Sequence, residues 1–256
     1  MKTQKKDPAF LEAEIARLKA EGRPPDLDEI ARGLDPAHIY SDGFYEAVFA
    51  AVPEGGVPAP GKGFRFVKRA FDLLVAGTAF LIFLLPMLLI ALAVKIDDPK
   101  GKVFFVQDRM GLHGKSFGCV KFRTMKADTP HDLSTAELRD PRRYLTRVGP
   151  FLRRFSLDEL PQLWCILKGD MSLIGPRPLV TREACNDLRL RLGVYALRPG
   201  LSGLAQVRGR DDVYYKNKAL MDAVYVKNAT LGLDLRLMGE TVHTVLSREG
   251  NDAENY

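Results

Sequence analysis

Residues 70–94, A-F-D-L-L-V-A-G-T-A-F-L-I-F-L-L-P-M-L-L-I-A-L-A-V, constrain this chain more than any other stretch. A bilayer crossing takes about 20 apolar residues, so the segment is long enough to span. Two features oppose a simple span. Pro86 lies inside it, lacks an N–H and predicts a kink. Basic residues flank both ends: Lys62, Arg65, Lys68 and Arg69 before, Lys95, Lys100 and Lys102 after. The positive-inside rule then assigns no direction. A helix broken at Leu85-Pro86, entering and leaving by the cytoplasmic face, satisfies both observations. Such a break leaves few backbone groups unpaired at membrane depth. The alternative is a spanning bitopic anchor. Asp72 is expected to pair with Arg69 or Lys68 in a structural role.

The 256 residues suit one domain, or one with an appendage. Cys119, Cys165 and Cys185 are odd in number and lack metal-type spacing, which argues for a reducing compartment. The opening M-K-T-Q-K-K-D-P leads into charge rather than an apolar h-region, so no cleavable signal peptide is expected. Residues 1–60 carry a net charge of −4, the rest +10. A basic body suits lipid head groups, nucleotide diphosphates or nucleic acid. Nucleic acid is the weakest of these, without zinc-finger spacing, an RNA-recognition signature or a basic helix with heptads.

Residues 1–52 read as an appendage of two or three short helices. Phe10, Leu11, Ile15 and Leu18 form one stripe; Asp26 with Glu29 caps a second helix, and Ser41 a third running through Phe44, Val48 and Phe49. Residues 53–63 have seven Pro or Gly in eleven positions and read as a linker.

The chemistry concentrates in Arg153–Pro178, R-R-F-S-L-D-E-L-P-Q-L-W-C-I-L-K-G-D-M-S-L-I-G-P-R-P. Asp158 and Glu159 follow an arginine pair at the apparent start of a short helix. Neighbouring helical residues point about 100° apart, so the two carboxylates are expected to take different roles, such as a nucleophile and a metal or proton partner. The plainer reading is a capping box, with Ser156 as N-cap and Glu159 three residues on. Gly175-Pro176-Arg177-Pro178 stiffens the backbone around one arginine, whose planar fork suits phosphate oxygens.

Upstream, V-F-F-V-Q and F-G-C-V-K-F-R flank a Gly-rich turn and predict a hairpin, with Lys121 and Arg123 on one face. Charges against edge aggregation are the alternative there. Downstream, a polar helix is expected over 180–192. Residues 198–210, R-P-G-L-S-G-L-A-Q-V-R-G-R, again combine glycines for close approach with arginines for anions. They match neither a Walker nor a dinucleotide fingerprint. Residues 219–246 read as one or two amphipathic helices, with Asp234 among leucines, where it could equally pair with Arg236 or a buried arginine.

S-L-D-E-L-P-Q-L, L-K-G-D-M-S-L-I-G-P-R-P, K-F-R-T-M and R-P-G-L-S-G-L-A-Q-V, in this order, resemble the bacterial sugar transferase family, the monotopic phosphoglycosyl transferases. The resemblance covers about residues 64–240. It implies an α+β, mostly helical fold: a re-entrant membrane helix-break-helix over 64–98, a cytosolic catalytic domain with a small β-hairpin over 99–246, and a tail over 247–256. The family's break usually carries Ser-Pro, where this chain has Leu85-Pro86.

The resemblance also implies an activity: transfer of a phosphosugar from a UDP-sugar to polyprenyl (undecaprenyl) phosphate, releasing UMP. This would be the first membrane step of exopolysaccharide, O-antigen or glycoprotein glycan assembly. Asp158 would attack the β-phosphorus and form an aspartyl-phosphosugar intermediate, with Glu159 holding or activating the reacting groups. Mg2+ is expected at Asp158 and Glu159. Lys121, Arg123, Arg153, Arg177 and Arg210 would contact substrate or phosphate, and Asp234 would accompany the site. Expected partners are the UDP-sugar, polyprenyl phosphate, membrane lipid and downstream glycosyltransferases, with a second copy of the chain as a candidate and no nucleic acid. The expected location is monotopic, on the cytoplasmic face of a bacterial inner membrane. Two other classes compete: a membrane-anchored, non-catalytic interaction protein, and a plain glycosyltransferase that leaves a nucleoside diphosphate. The latter usually needs a nucleotide-binding βαβ pattern, which is not found here.

Overall fold

The computed structural model describes residues 6–129, 141–183, 185–209 and 214–247. Its architecture is α+β and mostly helical. The chain begins with α1 (Pro8–Ala20), α2 (Leu27–Gly33) and α3 (Asp42–Ala50). Asp7, Asp26 and Ser41 cap them, each accepting from a backbone N–H of the first turn. Leu11, Ile15, Phe44 and Val48 turn inward and join the same buried cluster as Leu220 and Tyr225. Asn217 fixes the contact: its Nδ2 donates to the carbonyls of Asp35, Pro36 and His38, and its Oδ1 accepts from the Tyr45 hydroxyl at 2.8 Å.

The Pro/Gly-rich stretch that follows is laid onto the body. Val57 is buried, and its N–H donates to Leu192 O at 3.0 Å. Gly56, at φ +92°, passes so close to Gly193 that a Cβ there would lie 2.5 Å from the Gly193 Cα. Composition made this segment irregular, but two facing glycines let it dock.

α4 (Lys62–Asp97) holds 36 residues and is about 54 Å long at 1.5 Å per residue. It is the one helix among the described residues long and apolar enough to cross a membrane. Pro86 sits inside it, so Leu85-Pro86 marks a lost ladder bond within one helix rather than a gap between two. Phe66, Leu74, Leu81, Leu85, Leu88 and Leu92 are exposed along one side, an apolar face that water does not favour. The opposite side docks at both ends. Near the start, the Lys68 ammonium lies 2.6 Å from Asp234 Oδ2 and 3.9 Å from Asp72 Oδ1, with all three side chains buried. Asp72 Oδ1 also accepts from Leu173 N. Near the end, Met87 and Val94 pack with Phe122 and Leu152, and Asp97 Oδ2 accepts from Val148 N at 2.9 Å.

The body's sheets are small. β1 (Phe104–Met110) and β2 (Ser116–Phe122) form the expected antiparallel hairpin, with Phe105 opposite Lys121 and Gln107 opposite Cys119. β3 (Ser172–Ile174) and β4 (Gly200–Ser202) pair in parallel. Between and after them come α5 (Gly149–Arg154), α6 (Gln162–Lys168), α7 (Cys185–Arg191), α8 (Leu204–Gly209), α9 (Tyr215–Asn228) and α10 (Leu231–Ser247). α9 is buried through its middle and forms the centre of the core.

Lys68→Met keeps the volume but leaves Asp72 and Asp234 buried without their cation. Breaking a buried pair in this way is expected to cost on the order of 3–5 kcal/mol, read as a lowered thermal midpoint in detergent. Arg23→Met, at an exposed pair with Glu21, is expected to stay within about 0.5 kcal/mol of the parent.

Candidate active site

The turn that carries Asp158 is built by two backbone constraints. Ser156 adopts a left-handed conformation at φ +54°, which reverses the chain after α5. Leu157–Glu159 then form one 3-10 turn, closed by Glu159 N donating to Ser156 O. A helix starting at Ser156 would need an N–H from Pro161 to reach Leu157 O, and proline has none. The capping box expected from S-L-D-E is therefore not formed: Ser156 makes no side-chain cap bond, and α6 starts only at Gln162. Asp158 is instead carried inward and is 8% exposed.

Charge around Asp158 is mixed. Burial, and next the neighbouring Glu159, push its pKa up to about 6; Lys121 and Arg153 act against that rise. Lys121 projects from the inward face of β2, with its Nζ 5.3 Å from the centre of the Phe105 ring. Burial first, and then Arg109, push the Lys121 pKa down. Arg153 Nε donates to Thr124 Oγ1 at 2.9 Å, which sets the guanidinium beside the turn. Glu159 points a different way from Asp158 and meets Arg177, with Nη2 3.5 Å from its Oε1.

The loop that presents Arg177 is gripped through its carbonyls, because its prolines offer no N–H. Gly200 N donates to Pro176 O, Arg189 Nη1 to Arg177 O at 2.7 Å, and Arg109 Nη1 to Pro178 O at 2.6 Å. Met110 N donates to Leu179 O, and Asn186 Nδ2 reaches Val180 O and Thr181 O. Gly175 is required at the loop's start, since a Cβ there would lie 2.4 Å from Arg198 O.

Asp158, Glu159, Lys121, Arg153 and Arg177 thus share one site. Arg123 is engaged elsewhere. It lies just past the end of β2 and folds onto the segment after α4, with Nη1 2.5 Å from Asp98 Oδ2 and Nε donating to Lys102 O. Asp234 sits in the Lys68 cluster, where the Tyr225 hydroxyl donates to its Oδ1 at 2.7 Å. Its partner is neither Arg236 nor a buried arginine. Arg210 lies outside the described residues. Sequence reasoning passed over Arg109. It shares the inward face of β1 with Phe105 and Gln107, and strand alternation from Lys121's partner was the signal that could have found it.

Among the described residues no three His, Cys, Asp or Glu side chains converge as a metal cage. Magnesium usually takes one or two carboxylates and completes its shell with water and substrate phosphates. Asp158 and Glu159 are a donor set of that size. Two carboxylates among Lys121, Arg153, Arg109 and Arg177 leave the site net positive, so it suits a phosphorylated ligand with a carboxylate at its centre.

The family model described as bacterial sugar transferase matches residues 63–248. An undecaprenyl-phosphate galactose phosphotransferase from Salmonella typhimurium is 40% identical over 203 residues, which cover 73% of this chain and 42% of that protein. An exopolysaccharide production protein, ExoY, from Rhizobium meliloti is 41% identical over 202 residues, covering 72% of this chain and 87% of the relative. A UDP-glucose:undecaprenyl-phosphate glucose-1-phosphate transferase from Caulobacter vibrioides is 39% identical, covering 76% and 75%. The chain spans less than half the length of the Salmonella protein and of an uncharacterized sugar transferase from Haemophilus influenzae.

A raised carboxyl pKa gives a signed stability effect. The unfolded Asp158 ionises near its ordinary value of 3.8, the folded one near 6. Stability from this group is full below the lower value and is lost as pH rises through the upper one. Asp158→Asn removes the penalty, so in chelator-treated buffer its advantage should grow between about pH 4 and 6 and level off near 2 to 3 kcal/mol. Thermal midpoints of parent and variant across pH 4–8 measure it; a difference that shrinks as pH rises would contradict the assignment.

Proposed function

This chain belongs to the bacterial sugar transferase family, and from that premise we propose that it moves a phosphosugar from a UDP-sugar to polyprenyl phosphate, releasing UMP. The observation that carries the reading is the buried Asp158 carboxylate, with Lys121, Arg153 and Glu159 near enough to shift its pKa and Glu159 paired with Arg177. An Asp158 oxygen attacks the β-phosphorus. The bond from that phosphorus to the bridging oxygen breaks, UMP leaves, and an aspartyl-phosphosugar forms. A phosphate oxygen of the polyprenyl acceptor then attacks the same phosphorus, and the Asp158 carboxylate is released unchanged. Lys121 and Arg153 favour the ionised nucleophile and stabilise charge on the transferring phosphoryl group. Arg177, on its rigid loop, grips diphosphate oxygens and orients Glu159. Magnesium held by Asp158 or Glu159 together with the diphosphate would neutralise charge as the leaving group departs.

The membrane helix supports the same reading. Lys68 and Val94 are 26 residues apart, about 39 Å along a helix, whereas the hydrocarbon core is about 30 Å thick. Both are docked on one body. A straight span would put those two contacts on opposite sides of the bilayer. A helix that dips its exposed apolar face into one leaflet keeps both ends on one side, so we infer a monotopic protein on the cytoplasmic face of a bacterial inner membrane. That placement brings a lipid-borne phosphate and a soluble nucleotide to one site. Names of relatives that include exopolysaccharide production suit a role at the first membrane step of glycan assembly, ahead of downstream glycosyltransferases.

The test is leaving-group identity. Purified protein in nanodiscs with magnesium and polyprenyl phosphate is given a panel of UDP-sugars. UMP release that needs the lipid is expected, and Asp158→Asn is expected to lower it about a thousandfold or more. UDP release would make the protein a plain glycosyltransferase and remove the nucleophile role from Asp158.

A further inference from the structure

Arg189 on α7 and Asp222 on α9 form an ion pair in which both side chains are 0% exposed. Arg189 Nη2 donates to Asp222 Oδ2 in a short hydrogen bond. The pair is poorly satisfied for its burial: Arg189 Nε and Asp222 Oδ1 are buried without hydrogen-bond partners. Apolar residues of similar volume often serve a core as well as a buried ion pair or better. Packing alone therefore does not account for two charges here.

The remaining fork of Arg189 does. Its Nη1 donates to the backbone carbonyl of Arg177 at 2.7 Å. Pro176 and Pro178 flank Arg177 and have no N–H to give. The carbonyl is thus the handle by which the backbone at this residue is gripped, and a charged donor grips it more firmly than a neutral one. Asn186 lies one turn before Arg189 on the same face of α7 and takes the carbonyls of Val180 and Thr181. Its own Oδ1 accepts from the Tyr195 hydroxyl. α7 is a clamp on the loop, and Asp222 holds the clamp's arginine from behind.

We propose that Arg189, oriented by Asp222, is a positioning residue that fixes the Arg177 backbone so that its guanidinium meets Glu159. That the fixed guanidinium then serves the donor's diphosphate rests on the function proposed above.

The experiment uses the full chain in nanodiscs. Arg189→Met with Asp222→Leu removes both charges together, so no lone charge is left buried. Hydrogen exchange over residues 175–183 is read by mass spectrometry, with the thermal midpoint as the fold control. Exchange in that segment is expected to rise about tenfold or more while the midpoint stays native-like. UMP release should fall about 10- to 100-fold in kcat, with the KM for polyprenyl phosphate unchanged. On an Arg177→Ala background the same pair change should cost less than about twofold, because the residue it acts through is gone. Unchanged exchange and turnover at a native midpoint would overturn the proposal, as would full additivity with Arg177→Ala. Should the double variant not fold, Arg189→Lys keeps a cation opposite Asp222 but loses the two-pronged fork. It is expected to show the same local rise in exchange, and protection equal to the parent would overturn the role. If the parent releases no UMP from any donor while exchange still responds, the positioning role stands and the phosphoglycosyl reading falls.

Discussion

A lysine ammonium buried between two carboxylates sets the geometry of this protein. Lys68 belongs to the membrane helix, and Asp234 belongs to the last helix of the body. Neither charge is tolerable at that depth alone, so α4 cannot lift off at its start without exposing or orphaning both. The Met87–Val94 contact with Phe122 and Leu152 pins the other end by apolar burial. With both ends fixed on one body, the exposed apolar face of α4 has a single direction left to it. Phe122, which packs on the second anchor, is the residue next to Lys121 in the site. The anchor of the apolar helix and the candidate site are therefore neighbours at the end of one short strand.

The site in turn depends on backbone held without N–H groups. Proline makes the Arg177 loop stiff but also removes the donors that usually tie a loop down. The structure answers with donors from elsewhere: Arg109 and Met110 of β1, Gly200 of β4, and Asn186 and Arg189 of α7. Each of these elements is short, and none would be stable by itself. The loop that joins them is also what they organise around, so each holds the other in place.

Much of this was legible in the sequence, and the gaps have physical causes. Caps at Asp26 and Ser41 and the hairpin follow from local pattern; that Asp158, Glu159, Lys121, Arg153 and Arg177 lie near one another is what the family resemblance implied. S-L-D-E misled as a cap because the decisive fact is five residues past the serine, where Pro161 withholds the donor the helix needs. Arg123 looked equivalent to Lys121 by strand alternation, but the strand ends at Phe122 and the next side chain is captured by Asp98. Asn217 and Arg189 gave no local signal. Their partners lie 12 to 182 positions away in the chain, and no spacing rule reaches that far. The Pro/Gly stretch reads as a linker by composition, but whether such chain is free or docked is decided by what it faces, here Gly193.

Burial at Asp158 makes stability and chemistry oppose each other. Desolvation raises its pKa to about 6, which weakens the fold at neutral pH relative to a neutral side chain. The same desolvation leaves the ionised carboxylate poorly hydrated, which in the transfer proposed above would make it the more reactive nucleophile. Lys121 and Arg153 keep the shift small enough that the group is mostly ionised near pH 7. Removing either cation would push the pKa further up, and making the site wetter would bring it back toward the ordinary value. A carboxyl group that costs stability at neutral pH must sit in a fold whose stability comes from elsewhere. That role falls to α9, whose buried middle joins the three N-terminal helices to the body through Asn217 and the shared core.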